Sequence, residues 1–196
     1  MKTVFVGMLL VCALATQAQK PEVGIAAQLD LYSIKGDGIQ KGFHAGFNTG
    51  IYADWNGYRK WHFQPQVLFT QKNIQIGSDF NDKFPDVSLA SPQAVATLRG
   101  VTVPLQIGYE VNEKFSVLAG PQYTRLVSAD EKLLRDDAKA FGKEDWGITA
   151  GIQWKLSKSF KLQGRYDKGF SNLNAFSDQR PWKSRSISFG LTYKIL

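Results

Sequence analysis

The chain reads as all-β: an eight-stranded, antiparallel, up-and-down transmembrane β-barrel behind an N-terminal signal peptide. Three observations predict it. The C-terminal stretch 186–196 alternates strictly, with Ile187, Phe189, Leu191, Tyr193 and Ile195 on one face and Ser186, Ser188, Gly190, Thr192 and Lys194 on the other. That period of two is a strand with one apolar side. Seven further segments repeat the pattern, joined by alternately short and long connections, as membrane barrels are. The first 18 residues carry an export signal.

Lys2 precedes an apolar run over 4–15, too short to span a bilayer as a helix. Thr16-Gln17-Ala18 then offers a small-residue cleavage site, with cleavage after Ala15 as the competing choice. Residues 1–18 are therefore read as a cleaved signal peptide and 19–196 as one barrel domain. Cys12, the only cysteine, lies in the apolar run behind Val11, where a lipoprotein would need a small residue, so the exported chain has no thiol for a disulfide. Mean hydropathy is −0.24 and no later apolar stretch approaches the ~20 residues of a spanning helix. A barrel hides its apolar residues by alternation, so a low average is expected. The net charge of +7 is scattered, with no basic run, which argues against a nucleic-acid partner and for attraction to anionic lipid headgroups.

The eight apolar faces follow in order. The first is Val23, Ile25, Ala27, Leu29 and Leu31. The second is Phe43, Ala45, Phe47, Thr49, Ile51, Ala53 and Trp55. The third is Trp61, Phe63, Pro65, Val67 and Phe69. The fourth is Val101, Val103, Leu105, Ile107, Tyr109 and Val111. The fifth is Phe115, Val117, Ala119, Pro121 and Tyr123. The sixth is Trp146, Ile148, Ala150, Ile152, Trp154 and Leu156. The seventh is Phe160, Leu162, Gly164 and Tyr166, and the terminal strand is the eighth. Each approaches or reaches the ~9–11 residues of a tilted spanning strand. Pro65, Pro104 and Pro121 are expected at bulges or strand ends, since each lacks a ladder donor.

Tight turns fall at 56–57, 112–114 and 157–159, and long loops at 35–41, 72–98, 126–144 and 171–183. Short turns face the periplasm in such barrels, so both termini are expected there and the long loops outside. Paired residues must face the same side, which demands an odd number of residues between them. Asp54 opposite Tyr58, Val111 opposite Phe115 and Leu156 opposite Phe160 all satisfy this, with Gly57 available for a left-handed position. Bulky rings gather at both ends of the apolar face, with Trp55, Trp61, Tyr109, Phe115, Trp154, Phe160 and Tyr193 at the short-turn end. Phe43, Phe69, Tyr123 and Trp146 are at the other. Two aromatic girdles around an aliphatic band mark membrane interfaces. The alternative is a soluble lipocalin-like barrel binding a small apolar ligand, with the same face turned inward.

Catalytic chemistry finds no foothold. His44 and His62 both point inward, but the expected register separates them by ~20 Å, too far to share a metal ion. No inward serine has a histidine beside it, and no phosphate-binding glycine pattern occurs. The inward ions Asp30, Asp54, Glu110, Lys155, Lys161, Arg165, Asp167 and Lys194 share a bore only wide enough for side chains to fill. Burial requires them to pair. In the loops, 130–141 has Leu133, Leu134, Ala138 and Phe141 near helical spacing, suiting a short helix over the mouth. Phe80, Phe84, Pro85 and Val87 make a second loop aromatic enough to touch a partner or lipopolysaccharide.

The segments 103–109, 118–123, 145–152 and 164–172 resemble the PorT-like outer-membrane β-barrel family, over essentially the whole exported chain. Ser188, Gly190, Tyr193 and Ile195 resemble the terminal signal read by the barrel insertion machinery. Ile195 stands where an aromatic is usual, and Leu196 is an extra residue. The resemblance implies a bacterial outer-membrane barrel and, from the family's namesake, a part in protein secretion. The expectation is a non-enzymatic protein with a side-chain-filled lumen and no cofactor or metal. Its partners would be the lipid bilayer, lipopolysaccharide, the insertion machinery and an envelope or secretion protein.

Overall fold

The structure, a computed structural model, describes residues 21–84, 95–129, 141–175 and 181–196. The expected signal peptide, with both its cleavage choices, lies outside the described residues. So do Pro85, Val87 and all but Phe141 of the expected loop helix.

Eight strands form one closed barrel in chain order: β1 (Glu22–Lys35), β2 (His44–Asn56), β3 (Trp61–Gln75), β4 (Val95–Glu110), β5 (Phe115–Ala129), β6 (Glu144–Lys155), β7 (Phe160–Gly169) and β8 (Lys183–Lys194). Each is antiparallel to the next, and β8 closes onto β1. Closure leaves no unpaired edge, which a strand in hydrocarbon cannot tolerate. In register, the wall runs from Gly24 through Tyr52, Gln66, Pro104, Gln122, Gly147, Gly169 and Ser184 to Ile34, ten residues farther along β1. That stagger tilts the strands and fixes a bore filled by side chains.

The apolar face is outside. Leu29 is 72% exposed, Ile51 58% and Ile152 60%, whereas the inward Gln64 and Gln106 are fully buried. This opposes the lipocalin-like alternative, which needs the reverse. The rings meet in cross-strand pairs, Phe115 stacked on Trp154 and Phe160 tilted against Tyr193 at the short-turn end, and Tyr123 tilted against Trp146 at the other.

Two turns have the expected register, with the Val111 N–H donating to the Phe115 carbonyl and the Leu156 N–H to the Phe160 carbonyl. The β2–β3 turn does not. Asn56 pairs with His62, so the partner position of Asp54 shifts by six residues, from Tyr58 to Gln64. The left-handed residue is Arg59, at φ 59°, not Gly57. This register brings Phe63 onto Trp55 in the girdle, with ring centroids 6.2 Å apart. Tyr58, Arg59 and Lys60 are left to make the turn. Because the shift is even, every face assignment is unchanged.

The prolines also differ from expectation. Pro65, Pro104 and Pro121 sit within their strands at unbroken register. The one shift between β4 and β5 is at Arg99/Gly100, where Val127 is the extra residue. Strands β3 and β4 run on to Gln75 and from Val95, so both ends of the expected 72–98 loop are barrel wall. A short helix, α1 (Phe80–Lys83), follows β3.

Candidate functional site: the filled lumen and its loop cap

Three layers occupy the bore. At the short-turn end Asp54 is 3% exposed and takes three partners. His62 Nδ1 donates to its Oδ1 at 2.7 Å, and Gln64 Nε2 and Lys161 Nζ donate to its Oδ2 at 3.1 and 2.9 Å. Lys161 also pairs with Glu22 at 3.1 Å, and Lys194 with Glu22 at 3.0 Å. The His62 ring lies over Gly108, where a Cβ would come 2.0 Å from Nε2, so a glycine is needed there. This cluster closes a small vestibule of about 70 Å³ that Glu110 and Lys155 also line.

Above it, glutamines continue the hydrogen bonding. Gln66 Nε2 donates to Gln64 and Gln106 at 3.2 Å each, and Gln28 Nε2 to Gln163 at 3.0 Å. A third layer holds Arg165 paired with Asp167 at 3.0 Å, and Asp30 taking a hydrogen bond from Ser188 at 2.8 Å with Lys72 Nζ at 3.8 Å. Charged groups so deeply buried are tolerated only with such partners.

Of the eight inward ions expected to pair, Asp30, Asp54, Lys161, Arg165, Asp167 and Lys194 stand in ion pairs. Glu110 and Lys155 do not join them: both face inward by register, but at the open mouth, where they are exposed to solvent. Glu22 and Lys72 were missed, although each lies two residues along from an inward residue, Gly24 and Thr70. Of the terminal-signal residues, Ser188 is a lumen hydrogen-bonding group and Tyr193 a girdle ring. A Cβ on Gly190 would meet the Ala27 carbonyl at 2.1 Å, and Ile195 lies just past β8 with its N–H on the Val23 carbonyl. His44 registers opposite Ile74 and remains remote from His62.

The long-loop end is capped by an apolar core. Tyr32, Ile34, Ile74, Ala96, Leu98 and Trp182 continue the inward face, now with apolar side chains. Ile39 from the first long loop, Ile76, Phe80 and Phe84 from the second, Phe141 from the third and Leu173 from the fourth pack on them. Phe80 and Phe84 were expected to reach for a partner. They are 1% and 6% exposed, because α1 turns both into this core. Trp182 is the keystone: fully buried, edge-on to Phe84, 5.5 Å from Phe141, with Nε1 donating to the Asp37 carbonyl at 3.1 Å. Backbone bridges Ile39–Ile76 and Phe141–Asn174 tie the loops in pairs. Outside the cap, a cleft of about 600 Å³ opens between the first two loops, lined by Asp37, Lys41, Ser78, Asp79 and Lys83 among others. Among the described residues, no group of three or more His, Cys, Asp or Glu is placed to hold a metal ion.

The profile of the outer membrane protein beta-barrel domain matches residues 17–175. No curated protein matches the chain by sequence. Among solved structures, the chain is similar to Ail, the attachment invasion locus protein of Yersinia pestis, in complex with the heparin analogue sucrose octasulfate. The TM-score is 0.55 at 16% identity, over 90% of this chain and 100% of that one. It is also similar to Neisserial surface protein A, with a TM-score of 0.54 at 15% identity over 91% and 99%. At these identities the likeness is one of fold.

Proposed function

The chain belongs to the outer membrane protein beta-barrel domain family, and within that family we propose that it is a non-enzymatic, sealed barrel whose long loops form a docking platform facing the cell exterior. The apolar cap carries this reading. Four loops share one core with the barrel mouth, an arrangement that orders a surface and blocks a pore. Below it, glutamines and ion pairs fill the bore. The cleft between the first two loops, with both signs of charge on its walls, is the docking site. Both termini stand at the periplasmic end.

The partner is an envelope or secretion protein, a reading supported by the PorT-like motifs. Photo-crosslinking in living cells tests it. A crosslinker at Gln40 or Lys83 is expected to give a discrete protein adduct absent from one at Ile51 on the lipid wall. Adducts at neither cleft position would end the docking reading. Deleting the gene is expected to hold secreted proteins in the periplasm, and unimpaired secretion would end the link to export.

A further inference from the structure

Outward-facing strand residues differ between the two rims. At the short-turn end they finish in rings and aliphatic groups, Trp55, Trp61, Tyr109, Phe115, Trp154 and Phe160. At the long-loop end they finish in cations. Among the described strand residues facing out, Lys35, Arg99, Arg125, Lys168, Lys183 and Arg185 face a single acid, Glu144. Two of these cations lie apart on the far wall: Arg125 stands across the ladder from Glu144, and Arg99 Nε donates to Gln71 at 3.1 Å.

The other four lie together on β7, β8 and β1. Lys168 pairs across the ladder with Arg185, and Lys183 with Lys35. Lys35, Lys168 and Arg185 are exposed. The Arg185 guanidinium is held 5.0 Å from the centre of the Phe43 ring, and Lys183 Nζ is anchored on the Phe170 carbonyl. One rung below them the wall is Tyr166, Ile187 and Leu31, facing hydrocarbon. The patch therefore begins where the apolar band ends and points sideways along the membrane. A group at that height and orientation meets the headgroup of a neighbouring lipid.

We propose that Lys35, Lys168, Lys183 and Arg185 form a binding site for the phosphates of the outer-leaflet glycolipid, lipid A. The site rests on the outward orientation of the long loops proposed above. Four cations on three adjacent strands can engage two phosphates at once. Arg185 suits bidentate contact and the lysines act as point charges. The short-turn rim offers no such set on its strands, in keeping with a leaflet that lacks this lipid.

The test measures binding of fluorescent lipid A to the refolded barrel in neutral detergent micelles. K35Q/K168Q/K183Q/R185Q is compared with R59Q/K60Q/K114Q/K158Q, which removes as many charges at the other rim. The patch variant is expected to bind bisphosphorylated lipid A at least about tenfold more weakly. The control variant should stay within about twofold of the parent, and dephosphorylated lipid A should not distinguish the three proteins. Equal losses in both variants would reduce the effect to bulk charge and overturn the site, as would no loss in the patch variant. Should the quadruple variant fail to fold, R185Q and K168Q singly are each expected to weaken binding two- to threefold, and unchanged binding in both overturns the site.

Micelle binding is blind to orientation, so its failure removes the site and leaves the orientation standing. Orientation is read separately, by labelling the K41C variant on intact cells with a membrane-impermeant thiol reagent. Absence of labelling there would overturn the orientation whatever the micelles show.

Discussion

Replacing Trp182 by alanine isolates the loop cap from the barrel beneath it. The indole is fully buried, packs on Phe84 and Phe141, and occupies the space beside Gly36, where a Cβ would come 2.2 Å from its ring. Truncating a buried tryptophan costs about 3–5 kcal/mol, part of it the lost hydrogen bond from Nε1 to the Asp37 carbonyl. All of that falls on the cap, since β1 to β8 keep their ladders. At about 1.4 kcal/mol per tenfold, the opened loop population rises roughly 100-fold or more. Limited trypsin digestion of the folded protein in detergent reads this directly. Cleavage at Lys41 and Lys83 should accelerate by about two to three and a half orders of magnitude while the barrel stays uncut and migrates as a folded band. W182F, which keeps a ring but loses the donor, should accelerate it far less. Unchanged loop cleavage in W182A would refute the cap as one cooperative core, and loss of the folded band would refute its independence from the wall.

Three further outcomes follow from the layers below and from the outer face. D54A strips Lys161 and His62 of a shared buried partner and should cost about 3–5 kcal/mol, seen as a lowered urea midpoint for the folded band. G108A drives a methyl into the His62 ring and should cost about 1–3 kcal/mol. Combining it with H62A should cost less than the two single effects added together. I51R, in the middle of the apolar band, should cost about 2–4 kcal/mol, whereas V111R at the rim should cost about 0–1, measured by folding into lipid vesicles.

The wall was legible because alternation is enforced twice, by lipid outside and by a narrow bore inside. Each of the eight segments therefore carries the signal independently, and parity survives a wrong register, as the β2–β3 turn shows. The position of that turn is not legible locally, because Gly57 is a local turn signal that the strand pairing overrides. The stacking of Phe63 on Trp55, a contact between strands, favours a turn of the same length three residues later, over 58–60 with Arg59 left-handed. The His62–Asp54 contact was lost with it.

The cap was hidden for another reason. Loop residues such as Ile39, Phe80 and Leu173 follow no period, so nothing local marks them as core. One signal was available: the inward positions Ile34, Ile74, Ala96 and Leu98 turn apolar above the polar lumen, which means something apolar must cover them. Glu110 and Lys155 were assigned the correct face, but face alone does not report height, and at the mouth water serves them instead of ion pairs.

The most direct measurement is the gel mobility of the protein in isolated outer membranes, with and without boiling. A closed barrel embedded in lipid should appear in that fraction and run as a compact, faster band until heated. Recovery in the soluble fraction, with one heat-independent mobility, would contradict the account, because the wall that carries Leu29, Ile51 and Ile152 outward would then have no lipid to face.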